Sequence, residues 1–78
     1  MILKIISPEK ILFKGTVKQV DLPGTMGGFT VLDRHAPLIS SLTEGEIGYV
    51  GEDGQEVRLP VLGGVVEVRD NQVIVCIN

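Results

Sequence analysis

Glycine and proline interrupt this chain too often for a helix to grow. Ten glycines and four prolines fall among 78 residues, and the apolar runs between them are short. The one stretch with helical spacing is 35–48, through Leu38, Ile39 and Leu42. There Pro37, Gly45 and Gly48 leave only about two turns, too few to stand alone. The other runs alternate or are rich in Val and Ile, which favour strands. Residues 2–6 set Leu3 and Ile5 on one side, with Lys4 between them, until Ser7-Pro8-Glu9-Lys10 breaks the pattern. Ile11 to Lys14 is a short extended piece that stops at Gly15. Thr16 to Leu22 is the next strand, closed by Pro23-Gly24. Phe29 to Leu32 is brief and ends in the polar turn Asp33-Arg34-His35. Glu46 to Val50 and Gln55 to Val61 flank Gly51-Glu52-Asp53-Gly54, a hairpin signal. Val57, Leu59 and Val61 alternate with Arg58 and Pro60, and Pro60 belongs at an edge or bulge because it cannot donate a ladder bond. Gly63-Gly64 precedes Val65 to Arg69, and Asp70-Asn71 turns the chain into Gln72–Ile77. Many short strands without a helix make an all-β sandwich or barrel.

Length and composition narrow the rest. One domain spans 1–78, and a chain this size buries only about 60% of its unfolded surface, with no room for a large enclosed active site. Hydrophobic residues make up 44%, the level of a folded chain. The only aromatics are Phe13, Phe29 and Tyr49, so the core is Val, Ile and Leu. The net charge of −3 argues against nucleic acid. It is unevenly placed. Lys4, Lys10, Lys14, Lys18 and Arg34 against Glu9, Asp21 and Asp33 give residues 1–34 a net +2, and residues 35–78 carry −5. A lone Cys76 forbids an internal disulfide, suits a reducing compartment and reads as a small buried hydrophobe. The apolar opening Met1 to Ile6 is too short for a signal peptide, and no run approaches the roughly 20 residues of a membrane span. The chain is expected to be soluble by itself.

Catalytic, metal and cofactor patterns are missing. His35, Asp33, Ser40 and Ser41 can spell a hydrolase triad, but no nucleophile-elbow motif frames them. One histidine without a nearby cysteine makes a poor zinc site. Pro23-Gly24-Thr25-Met26-Gly27-Gly28 is glycine-rich like a phosphate loop. It lacks a following Lys-Ser or Lys-Thr, and the next element is a strand. A turn needing positive φ explains it better. Glu52, Asp53 and Glu56 cluster at a hairpin tip without calcium-loop spacing. The remaining candidates are apolar surfaces. Pro37, Leu38, Ile39 and Leu42 have few charges near them, and Val73 to Ile77 is apolar at every position, as a strand covered on both faces would be. One cover is the core and the other can be a partner.

The run from Pro23 to Leu38, with His35-Ala36-Pro37-Leu38 at its end, resembles the signature segment of the epsilon subunit of F-type ATP synthases. Leu3 to Glu9, Phe13-Lys14-Gly15 and Gly63-Gly64-Val65-Val66-Glu67-Val68 resemble other parts of that family in colinear order, so the likeness covers the whole chain. It implies a two-sheet β-sandwich of about ten short strands. It implies a non-catalytic part of the rotor, peripheral on the cytoplasmic face of the bacterial inner membrane, that couples c-ring rotation to the gamma subunit and ATP synthesis. The resemblance puts Ser7, His35, Ser40 and Leu42 on the gamma-binding face, and Thr25, Met26, Gly27 and Gly28 in the loop that meets the polar loops of the c-ring. Leu42→Asp is then expected to leave the free domain folded and to weaken gamma binding. Met26 and Gly28 stand where the family often has glutamates, so the ring contact is expected to depend weakly on salt. The chain stops at Asn78, where many members continue into two helices that carry inhibition and, in some, ATP binding. No ATP binding is expected here, and no cofactor or metal. The competing reading is a stand-alone β-sandwich binding module without enzymatic activity. A lipoyl carrier is disfavoured because the hairpin tips Gly51–Gly54 and Asp70-Asn71 lack a lysine.

Overall fold

The computed structural model describes residues 1–78 as eight strands and no helix. They are β1 (Ile2–Ile6), β2 (Ile11–Leu22), β3 (Phe29–Leu32), β4 (Leu38–Leu42), β5 (Gly45–Gly51), β6 (Glu56–Val61), β7 (Gly64–Arg69) and β8 (Gln72–Ile77). The expected ten is thus eight, partly because Ile11 to Leu22 is one continuous strand of 12 residues. Gly15 does not stop it, because the Phe13 ring lies over the bare backbone there: a Cβ on Gly15 would stand 3.0 Å from the ring's Cζ.

β2 is shared by two layers. The first layer, called here the A sheet, runs β4-β7-β8-β1 and the first half of β2. The second, the B sheet, is made by the latter half of β2 with β3 on one side and β5-β6 on the other. The register slips between Val17 and Gln19, leaving Lys18 at the irregularity where the strand passes from one layer to the next. All neighbours are antiparallel except β1 and β8, which are parallel.

Period-two alternation explains what lies between the layers. β1 buries Leu3 and Ile5, β7 buries Val66 and Val68, and β8 buries Val73 and Val75. From the other sheet come Val20, Leu22, Val31, Ile47 and Val61. The core holds 14 apolar residues and no buried polar side chain. Each such side chain contributes about 1.5–3 kcal/mol by leaving water.

Turn chemistry matches the breakers. Asp70 and Asn71 sit at φ 52° and 58°, the mirror-image turn that feeds a twisted hairpin. Gly54 at φ 84° closes the β5–β6 hairpin, where its N–H donates to the Gly51 carbonyl at 3.0 Å. Pro60 lies in β6, an edge strand, as its missing N–H requires.

Two side chains depart from expectation. Cys76 is exposed, not buried. In β8 the inward positions are Val73 and Val75, so parity sends Ile74 and Cys76 to the outer face. Leu42 is 5% exposed and belongs to the core. It ends β4 opposite Gly64 and bridges Gly24 on its other side, which closes the gap between the two layers.

Candidate functional site

His35, Asp33, Ser40 and Ser41 do not form a catalytic cluster. The Asp33 carboxylate accepts from the Met1 amino group at 2.7 Å. His35 Nδ1 lies 2.7 Å from the carbonyl of Ala36. Ser40 Oγ donates to the Ser41 carbonyl at 3.0 Å. No group of three or more His, Cys, Asp or Glu side chains is placed to hold a metal ion. What the domain offers are surfaces.

The loop Thr25–Gly28 is fixed at its base and free at its tip. Thr25 N–H donates to the Ser41 carbonyl at 3.1 Å, and Gly27 N–H to the Gly24 carbonyl at 3.0 Å. The Thr25 and Ser41 hydroxyls share a hydrogen bond of 2.7 Å. Met26 at the tip is 99% exposed. The turn at 43–45 lies alongside, because Thr43 N–H donates to the Pro23 carbonyl at 2.8 Å. That brings exposed Glu44 to the same end of the domain. Leu62, 77% exposed, stands there too, beside a groove of about 470 Å³ lined by Glu44, Glu46, Pro60 and Ile77. Sequence reasoning missed Glu44 and Leu62, since only the pairing of β4 with β7 and of β5 with β6 brings those turns to one end.

Ser7, His35, Ser40 and Leu42 are spread around the A sheet. Ser7 follows β1 and closes its turn, its N–H donating to the Lys10 carbonyl at 2.9 Å. Ser40 shares a ladder row with Val66, Val75 and Ile5, so three strand spacings, about 14 Å, separate β4 from β1. His35 lies beyond the start of β4, next to Arg34, whose N–H donates to Asn71 Oδ1 at 2.8 Å. Leu42, being buried, has no side-chain surface to offer a partner. That corrects the expectation that it is exposed in the free domain.

Both outer sheet faces mix polar and apolar side chains. On the B sheet, polar groups bond one another beside Leu32, which pairs with Gln19 and is 55% exposed. Asp21 Oδ1 accepts from Thr30 Oγ1 at 2.7 Å and from Gln19 Nε2 at 3.3 Å, and Arg58 pairs with Glu56 at 2.9 Å. The outer A sheet carries apolar side chains on several strands, with charged and hydroxyl groups between them. One row runs Ile39, Glu67, Ile74, Lys4, and the next runs Ser41, Val65, Cys76, Ile6. Ile39 is 74% exposed and Val65 49%. No helix is long and apolar enough to cross a membrane.

Comparison with known proteins bears on these surfaces. The family model described as "ATP synthase, Delta/Epsilon chain, beta-sandwich domain" matches residues 1–78. The ATP synthase epsilon chain of Afipia carboxidovorans is 47% identical over 66 residues, which is 85% of this chain and 48% of that one. The chain therefore spans about half the length of this relative. Among solved structures, a chain of the Euglena gracilis mitochondrial ATP synthase, determined with its c-ring, superposes with a TM-score of 0.93 at 22% identity, covering 99% of this chain and 49% of its own. A chain of the Tetrahymena thermophila mitochondrial ATP synthase central stalk and c-ring gives 0.84 at 15% identity, with 99% and 62% covered. At such identities the structural likeness speaks for the fold.

Proposed function

Since the chain belongs to the family of ATP synthase delta/epsilon β-sandwich domains, we propose that it is a non-catalytic element of the synthase rotor. In this role it binds the gamma subunit by one surface and the polar loops of the c-ring by another, at the cytoplasmic face of a bacterial membrane. The two turn together during ATP synthesis, with no cofactor or bound ATP required from this chain. The observation that carries the reading is the group of apolar side chains on the outer A sheet, Ile39 and Val65 exposed with Ile74 beside them. Apolar side chains grouped on one face in water favour a partner.

The gamma surface in this proposal is the outer A sheet, with Ile39, Val65 and Ile74 as anchors and Ser7 and His35 at its perimeter; Ser40, in the inward row of Val66, Val75 and Ile5, reaches it only from the β4 edge. Leu42 is not included. Ile39 is the discriminating residue because it is 74% exposed. Ile39→Asp is expected to leave the thermal midpoint of the free domain within about 2 °C. It should weaken gamma binding about a hundredfold, the loss of an anchor worth some 2–3 kcal/mol. Titration calorimetry against purified gamma, with a thermal melt of each variant, reads both. Wild-type affinity in the variant would move the gamma surface elsewhere.

The ring-facing end is assigned to the loop Thr25, Met26, Gly27 and Gly28. The loop itself is uncharged, but Glu44 stands beside it and can meet a basic ring loop. Met26→Cys is expected to cross-link to a cysteine in the ring loop of the assembled enzyme. The experiment needs a Cys76→Ser background, because the native thiol is exposed. Glu44→Gln should flatten whatever salt dependence the ring contact has. Absence of any cross-link under oxidising conditions would refute the placement.

A further inference from the structure

Lys4 and Lys14 face each other directly across β1 and β2. Residues so paired have Cα atoms about 4.5–5.5 Å apart, and like charges there repel. Neither has a counterion. The ion pairs of the domain are Met1–Asp33, Arg58 with Glu46 and Glu56, and Arg69–Glu67, and none includes a lysine. The outward carboxylate in the same ladder row is Glu67. It lies two strands from Lys4, about 10 Å away, and is held by Arg69 at 3.6 Å. Apolar side chains surround the lysines. Ile2 and Ile74, with Gln72, line a depression of about 280 Å³ that Lys4 and Lys14 border, and Ile2 is 41% exposed. Two uncompensated cations thus sit at one side of the apolar sheet face, in a protein whose net charge is −3.

We infer that Lys4 and Lys14 form an electrostatic docking point for carboxylates on the protein that covers the outer A sheet. A carboxylate between the two ammonium groups removes their mutual repulsion and pairs with both. The neighbouring Ile2 and Ile74 exclude water once covered, which strengthens the attraction. The apolar part of the face supplies contact area, and the lysine pair fixes orientation and speeds encounter. The inference rests on the gamma assignment above and adds the chemistry of the surface that gamma must present there.

The test uses the full chain with purified gamma subunit, over about 50 to 500 mM salt, a range that spans strong and weak screening. The variant Lys4→Gln/Lys14→Gln is expected to bind about tenfold more weakly at the lowest salt and to lose most of the salt dependence. Lys4→Glu/Lys14→Glu should bind more weakly still. The free Gln variant should melt at or above the wild-type midpoint, because a repulsive pair has been removed. If the Gln variant keeps wild-type affinity and salt slope while Ile39→Asp abolishes binding, the face is right and the lysine inference is wrong. If the lysine variants weaken binding and Ile39→Asp does not, the inference stands and the gamma surface shifts toward β1 and β2. If neither changes binding, both fall. Lysine-dependent sedimentation with anionic phosphatidylglycerol vesicles, without any effect on gamma binding, would assign the pair to a lipid surface and overturn the proposal.

Discussion

Leu42→Asp is expected to abolish the cooperative melting transition of the free domain. Leu42 is 5% exposed and lies among 14 core residues that include no polar side chain. Removing its terminal carbons costs about 2–5 kcal/mol in a packed core. The new carboxylate adds several kcal/mol more, since no buried partner is present to receive it. At the usual 0.05–0.15 kcal/mol per residue, a chain of this length has roughly 4–12 kcal/mol of stability in all. The substitution therefore consumes most or all of it. Circular dichroism at rising temperature should show a sloping baseline with no sigmoid. Leu42→Ala should retain a transition at a midpoint lowered by well over 10 °C, at roughly 4–8 °C per kcal/mol for small domains. A Leu42→Asp domain that melts like the wild type would return this residue to the surface and to the candidates for gamma contact.

Gly64→Ala is expected to cost about 3 kcal/mol or more, far beyond an ordinary glycine replacement. Two penalties coincide at this position. Its φ of 150° lies where L side chains are rarely found, a cost of about 1–3 kcal/mol. A Cβ there would also overlap the carbonyl oxygen of Cys76 on β8, a backbone atom that cannot rotate away. Relief requires β7 and β8 to separate where Gly64 pairs with Ile77, and that opens the core beneath Leu42. Gly54→Ala is the control. Its φ is 84°, but nothing lies within 4 Å of the added carbon, so only the strain of about 1 kcal/mol remains. Urea denaturation of the three proteins measures the difference. Equal midpoints for the two variants would show that the steric overlap at Gly64 relaxes freely.

Much of the fold was legible because strand parity and turn chemistry act locally. Leu3 and Ile5 point inward with Lys4 outward, and Asp70-Asn71 turns as its residue types prefer. The misreadings concern which neighbour or face a residue meets once the strands are formed. Gly15 reads as a break, yet the nearby Phe13 ring covers it and stacks on Tyr49 with centroids 4.4 Å apart. Cys76 is of a type usually found inside, but the parity fixed by Val73 and Val75 turns it outward. Leu42 and Ile39 are equally apolar and three residues apart. Only the pairing of β4 with β7 decides that one fills the core and the other faces water. The same holds for the surfaces: the Thr25–Gly28 loop carried a glycine-rich signature, while Glu44 and Leu62 had none. The opposition of Lys4 and Lys14 depends on a register that alternation alone does not number.

The parallel pairing of β1 with β8 has a mechanical consequence. Five registered pairs join these strands, from Ile2 with Gln72 to Ile6 with Cys76. Because they run in the same direction, a pull applied at the start of β1 and the end of β8 slides one strand along the other. All the backbone bonds between them then bear the load together, so none yields until most do. An antiparallel pair at the same place would unzip one bond at a time under a much smaller force. The seam lies at the middle of the A sheet, flanked by β7 and β2. The domain thus resists tension between the start of β1 and the end of β8 by shear along this seam.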